Sequence, residues 1–369
     1  MILDESGLED LAVGAAMLGS GGGGDPYVGK LMAREALRAH GPVELVGLDD
    51  LDDDALVVAA GMMGAPGVMV EKIPNGDEVV RAVLSLGAYL GAPVKAVMSG
   101  EVGGLNSMIP VYAAARLGLP LVDADGTGRA FPEIHLSTYT IHGISATPLA
   151  MADEHGDTVI VDAVDNRRAE TLARGITVDM GAVALVAAYP ATAAELREAV
   201  VPGTIGGARE IGAAIRSAPR RDAPPVETAR QAVGGRSVFE GKVVEVERRT
   251  ERGFSMGHAS LVGMDGYAGT RLRLDFQNEF LAARLDDAFV VTTPDLITAL
   301  DPEDGTPIPA EALRYGARVA VIAIPCPAVW RSAAGLTLAG PRAFGYDVEY
   351  SPVEEDAAPA PPEIPASRD

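Results

Sequence analysis

Apolar residues recur at three- and four-residue steps from Leu8 through Leu11, Ala12 and Ala15 to Leu18, which predicts a helix over 8–18. A second helix is expected over 27–39, with Pro26 at the favoured first position. Four consecutive glycines, Gly21 to Gly24, lie between them, so the glycine run joins helix to helix. The texture then changes. Apolar runs at 55–60, 94–98 and 119–122 read as strands, separated by helices over 77–90 and 107–117. Such alternation predicts a largely parallel sheet covered by helices. Strand character is expected over 134–147, rich in Ser, Thr, Tyr and Ile, and again over 158–163. Helices are expected over 167–174, 192–200 and 205–217, the last capped by Thr204, before a polar, proline-containing break at 220–225. Farther on, 238–247, 258–263, 271–276, 288–292, 318–324 and 336–338 alternate or run apolar between glycine turns and predict strands.

The expected fold class is therefore α/β: an amino-terminal, mostly parallel sheet with helices over 1–168, followed by a carboxyl-terminal β-rich domain over 169–352 with helices at about 191–218. Residues 353–369, proline-rich and poor in large apolar groups, are expected to be disordered and dispensable. A length of 369 residues is too great for one ordinary core and suits two.

Charge and composition narrow the function. A hydrophobic content of 48% with 22% charged residues is that of a globular protein, and no apolar run approaches the ~20 residues of a membrane span. The start of the chain has no basic patch followed by an apolar stretch, so a cytoplasmic location is expected. A net charge of −22 opposes binding to nucleic acid. The single cysteine, Cys326, forms no internal disulfide and reads as a buried, inert thiol.

Glycine follows each of the first three strand runs within a few residues: Gly61-Met62-Met63-Gly64, Ser99-Gly100-Glu101-Val102-Gly103-Gly104, and Asp123-Ala124-Asp125-Gly126. Loops leaving the carboxyl ends of parallel strands gather along one edge, where ligands bind, so Glu101, Asp123 and Asp125 are expected to converge there as catalytic carboxylates. Asp123 and Asp125 at i and i+2 can hold a hard cation, activate water, or simply cap their own loop. Gly21, Gly22, Gly23 and Gly24 can supply backbone amides to a developing negative charge, and Asp25 beside them is expected to contact the substrate. Arg129 and Glu133 from the loop after Asp125, and Asn278 and Glu279 between Phe276 and Phe280, complete the expected substrate contacts.

Other motifs fail on context. Gly19-x-Gly21-x-x-Gly24 has the spacing of a dinucleotide loop but follows a helix instead of a strand. Gly203-Thr204-Ile205-Gly206-Gly207 lacks the Lys-Ser or Lys-Thr of a phosphate loop, and there is no Gly-x-Ser-x-Gly elbow. The five histidines show no metal-ligand spacing, and on a strand His135 and His142 would face opposite ways.

Taken together, segments 18–26, 101–106, 122–133, 202–204, 276–280 and 340–347 resemble the S-methyl thiohydantoin desulfurase family, and the resemblance spans roughly residues 5 to 350. It implies an α/β domain followed by a β-rich one, in proteins associated with hydantoinase and oxoprolinase subunits, and chemistry on a five-membered cyclic imide or its sulfur analogue. The expected activity is hydrolysis at the carbon between the two ring nitrogens, with Asp123 or Asp125 as base, alone or through a divalent metal. On that view Asp125→Asn abolishes turnover and leaves the melting temperature unchanged. The alternatives are a non-catalytic accessory subunit docking on a hydantoinase-type enzyme, or a related ring-modifying step in specialised metabolism. The expected partner is a small heterocycle, and a homo-oligomer is compatible with the sequence.

Overall fold

In a computed structural model of the chain, the described residues are 1–64, 68, 72, 74–218, 223–251 and 253–354. The first domain opens with β1 (Ile2–Leu3), α1 (Glu5–Leu18), α2 (Pro26–His40), β2 (Val43–Val46), β3 (Leu56–Gly64) and α3 (Asp77–Leu90). It continues with β4 (Ala96–Ser99), α4 (Gly104–Leu117), β5 (Leu121–Asp125), α5 (Thr138–Ile141), β6 (Leu149–Ala152) and β7 (Thr158–Val161). Next come α6 (Asn166–Asp179), β8 (Val183–Thr192), α7 (Ala193–Leu196), β9 (Val201–Pro202) and α8 (Thr204–Ser217). These strands form one nine-stranded sheet in the order β1-β2-β5-β4-β3-β8-β6-β7, with β9 against β5. Its centre, β2-β5-β4-β3, is parallel, and β1, β8, β6, β7 and β9 join antiparallel. The second domain follows α9 (Pro225–Ala232) with β10 (Arg236–Glu251), β11 (Phe254–Gly263), β12 (Arg271–Gln277) and β13 (Glu279–Leu285). It ends with β14 (Ala288–Thr292), β15 (Leu296–Leu300), β16 (Pro307–Ile308), β17 (Arg318–Ile324) and α10 (Ala333–Ala339). These eight strands make a second sheet, antiparallel throughout, in the order β14-β13-β12-β11-β10-β17-β15-β16. The expected α/β domain followed by a β-rich one is therefore what the chain forms.

Local chemistry explains the first elements. Asp4 caps α1 by accepting from the backbone N–H of Ser6 and Gly7, and Leu8, Leu11, Ala12 and Ala15 face the core as their spacing predicts. Asp25 caps α2 through the Tyr27 N–H, with Pro26 at the first helical position. The glycine run does join helix to helix, which removes the dinucleotide-loop alternative.

Four local expectations are corrected. Residues 134–147 hold turns and the single helical turn α5, not a strand, because Ser137 caps Thr140 and the Thr138 hydroxyl is drawn to the carbonyls of Gly126 and Ala199. The helix expected over 192–200 is one turn, α7, started by a reciprocal Thr192–Glu195 capping box. Thr204 is the first residue of α8, not its cap, since Gly203 occupies the cap in a left-handed conformation. Leu336 to Leu338 lie in α10, whose Ser332 cap starts a helix despite the β-like run of apolar residues. At the chain's end Val353 is buried and its N–H donates to Asp295 Oδ2, so 353 belongs to the ordered fold. Of the expected tail, 355–369 lie outside the described residues, as do 220–222 of the expected break. Among the described residues no helix is long and apolar enough to cross a membrane.

Candidate active site

A cleft opens at the carboxyl ends of β3 and β4, between the two domains. It is lined by Gly23 and Gly24 of the glycine loop, Ala59 to Gly64 of β3, and Gly100 and Glu101 beyond β4. Phe131, Glu133, Ile134, Ser137, Val186, Ala188 and Tyr189 also line it, and the second domain contributes Asn278 and Glu279.

Two glutamates define its chemistry. Glu101 accepts from the Asn106 side-chain amide (2.7 Å, on Oε1) and from the Phe131 N–H (2.8 Å, on Oε2). Burial nevertheless pushes it up to about 7, the nearby Asp125 adding to the rise. Glu279 is only 2% exposed, and its Oε1 accepts a long bond from the Gly23 N–H (3.4 Å) while its Oε2 has no partner. Burial first, and then the neighbouring Glu101 charge, raise it well above the usual carboxylate range. Two interacting carboxyls so withdrawn from water do not both ionise readily, so near neutral pH the pair holds a proton.

Asn106, at the start of α4, fixes this arrangement. Its Oδ1 accepts from the Met62 N–H at 2.8 Å, which leaves its NH₂ group to face Glu101.

The glycine loop is pressed between the domains. A Cβ on Gly22 would lie 2.0 Å from Glu279 Oε1, and one on Gly21, at φ +82°, would lie 2.4 Å from the Phe280 ring. Ser20 sews the same loop to the second domain: its hydroxyl donates to the Ile297 carbonyl and accepts from the Ile297 N–H, and its carbonyl accepts from the Phe280 N–H. The Gly22 N–H is used within the turn, on Gly19. Among the described residues, the Gly24 N–H meets no acceptor, and Gly24 lines the cleft.

Several expected site residues serve the frame instead. Asp123 turns away from the cleft and accepts from the Ile205 and Gly206 N–H groups at the start of α8. Asp125 is fully buried and accepts from the Val102, Thr127 and Gly128 N–H groups and the Thr127 hydroxyl. Burial lifts it to about 6, but its lone pairs are committed to the Glu101 and Arg129 loops, which it ties together. Neither of the two aspartates expected to provide the base lines the cleft, and backbone donors hold both. Arg129 is fully buried too, where burial lowers it to about 10. Its guanidinium donates to the carbonyls of Ala130, Pro294, Asp295 and Phe280, so it bridges the domains and does not line the cleft. Asp25 is exposed and caps α2.

Glu133 does line the cleft, and burial with the neighbouring Glu170 raises it. Asn278, at φ +58°, lines it as well while its Oδ1 accepts from the Ser255 N–H. Opposite them Arg174 is already engaged: it donates to Glu170 and the Pro132 carbonyl and stacks 4.3 Å from the Phe254 ring. His135 is buried beside Glu133, and burial with the nearby Arg167 holds it neutral, lowered to about 4. His142 is exposed after α5, so the two histidines share no site. Cys326 is buried and raised to about 11 by burial, as expected of an inert thiol. Among the described residues no three His, Cys, Asp or Glu side chains are grouped as a metal ion requires. The cleft residues therefore do not fit a bound divalent cation, and the chemistry below is built on the side chains alone.

Of the residues expected at the site, Glu101, Gly23, Gly24, Glu133, Asn278 and Glu279 line the cleft; Asn106 and Arg174 line it as well and are not among those expected. Asn106 lies five residues after Glu101, a spacing that becomes a contact only because the chain turns into α4 between them.

A two-domain protein with an acidic cleft between an α/β sheet and an antiparallel sheet is the class that the fold and site define. The chain belongs to the S-Me-THD-like family: the family's N-terminal domain matches residues 6–163 and its C-terminal domain residues 164–353. The family's name associates it with thiohydantoin desulfurase-like enzymes. The fold is also similar to the crystal structure of a protein from Chromobacterium violaceum, with a TM-score of 0.78 and 26% identity over 96% of this chain and 100% of that one. No curated protein matches the chain.

Proposed function

We propose that the protein hydrolyses the carbon–sulfur bond of a 2-alkylthio five-membered ring of the S-methyl thiohydantoin type, releasing a thiol and leaving the cyclic urea. The observation that carries this reading is the pair Glu101 and Glu279, a half-buried and a buried carboxyl, both raised, facing one cleft from different domains.

Such a reaction needs a base for water and an acid for nitrogen and sulfur. Ionised Glu101 takes a proton from water, whose oxygen bonds to the carbon between the ring nitrogens. Protonated Glu279 gives its proton to the ring nitrogen of the C=N bond. In the second half the new hydroxyl returns a proton to Glu279, the carbonyl forms, the carbon–sulfur bond breaks, and the departing sulfur takes the proton held by Glu101. Both glutamates end as they began, and no oxidant or reductant is needed. The Gly24 N–H, which meets no acceptor among the described residues, is assigned to the exocyclic oxygen that water leaves on the ring carbon. Asn106, locked by the Met62 N–H, keeps the Glu101 carboxyl turned to the cleft.

The test is release of methanethiol from a 2-methylthio-imidazolone by the purified chain, followed with a thiol reagent and by mass spectrometry of the ring product. Glu101→Gln is expected to lower kcat by roughly 10²- to 10⁴-fold, the usual worth of a positioned general base. Release only after adding a hydantoinase-type protein would favour the accessory-subunit alternative. No release under either condition would end the hydrolytic reading.

A further inference from the structure

Two glycines in the cleft wall are not needed by the chain itself. Gly61 lies in β3 and Gly100 directly after β4, and neither has a left-handed backbone conformation. Among the described residues, a Cβ on Gly61 would meet only the Asn106 amide, with Oδ1 at 3.4 Å, and one on Gly100 would meet only the Ala60 carbonyl oxygen, at 3.9 Å. Both are ordinary van der Waals distances. The loop glycines differ, since Gly22 and Gly23 leave no room for any side chain. Glycine weakens a strand through chain entropy and lost packing, so a bare glycine with free space beside a paired strand marks the approach of something outside the chain. β3 and β4 are parallel neighbours with Ala60 opposite Ser99, so Gly61, inside β3, and Gly100, just beyond the end of β4, are the next residues along the two stretches. The buried, unpartnered Oε2 of Glu279 on the same cleft independently indicates a missing hydrogen-bond partner.

We infer that Gly61 and Gly100 form a side-chain-free floor on which a planar five-membered ring lies flat, its N–C–N edge toward Glu101 and Glu279. This rests on the function proposed above for its orientation, and it narrows the ligand class to flat rings whose lower face carries no substituent. A methyl group added to the floor lifts the ring away from the two carboxyls.

The experiment compares the full-length wild type with Gly61→Ala and Gly100→Ala, using Gly207→Ala as a control, since Gly207 lies on α8 with open space around it. Hydantoin and its 2-methylthio analogue are titrated by ligand-observed NMR, and kcat/KM is measured for the analogue. Gly100→Ala is the cleaner variant because Gly61→Ala also touches Asn106. At least tenfold weaker binding or lower kcat/KM in Gly100→Ala is expected, as for one misplaced methyl in a fitted pocket, with a melting temperature no lower than wild type and Gly207→Ala unchanged. Unaltered binding and turnover in both cleft variants would overturn the floor and leave the proposed reaction standing. Rings that bind the wild type without turnover, and bind the alanine variants more weakly, would uphold the floor and overturn the reaction. Failure of any ring to bind the wild type would overturn both.

Discussion

Asp125 is the residue at which sequence and structure part most instructively. A lone carboxylate beside glycine reads equally as a base or as a loop anchor, and only the fold shows that its oxygens are taken up by the Val102, Thr127 and Gly128 donors. Asp125→Asn turns an acceptor into a donor facing those N–H groups, so it is expected to destabilise the protein by about 2 kcal/mol, measured by urea denaturation. An unchanged midpoint with abolished turnover would restore the aspartate as base. The proposed pair carries its own pH signature. In the proposed reaction Glu101 serves as base only when ionised, so kcat/KM is expected to rise with pH through about 7, and this limb is expected to vanish in Glu101→Gln. Stability runs the other way. Glu101, Glu279 and Asp125 all titrate above their unfolded values, so between about pH 4 and about pH 7 these groups hold more protons in the folded chain and their contribution to stability falls as pH rises, against the opposing contribution of His135 beside the cleft. Across that range the melting temperature of Glu279→Gln should fall less with rising pH than that of the wild type. Glu101 was legible in the sequence because a carboxylate directly after a buried strand and before glycines has few other uses. The assignment of Asp123 was not, because capping a helix 80 residues onward leaves no local trace.

Among the elements, the loop between α1 and α2 does the most to join the halves. Its glycines were legible as a place of close approach, but the approaching groups, Glu279 and Phe280, come from a strand more than 250 residues away. Gly22→Ala places a methyl on the Glu279 carboxyl and is expected to abolish the Glu279-dependent step; wild-type turnover by that variant would show that the carboxyl can shift without cost. Arg129 performs the same joining task from the other side. Replacing it with Met strands the carbonyls of Pro294, Asp295 and Phe280, and a loss of about 3 kcal/mol is expected in chemical denaturation. The long periodic helices and buried strands were predicted well because their burial pattern repeats over several turns or residues. The failures fell on short stretches, 134–147 and 336–338, where side-chain hydrogen bonds and a serine cap outweigh β propensity.

At the scale of the whole molecule, the family's two sequence domains and the two sheets do not divide at the same point. The N-terminal domain match ends at 163, yet β8, residues 183–192, sits in the first sheet between β3 and β6. A fragment ending at 163 therefore has the β6–β7 hairpin with nothing to pair against on its inner side, and it is expected not to fold on its own, as circular dichroism and limited proteolysis can check. The intact chain, with its interface sewn by Ser20, Arg129 and the Trp330 indole on the Thr127 carbonyl, is expected to melt in one transition.

That interleaved strand also dictates an order of events during synthesis. A nascent polypeptide released up to β7 has left the ribosome with a breach in the middle of its first sheet, flanked by two hydrogen-bonding edges open to solvent. Translation must advance roughly thirty residues further before the strand that seals the breach emerges, and until then those edges are the part of the newborn chain most in need of a chaperone's cover.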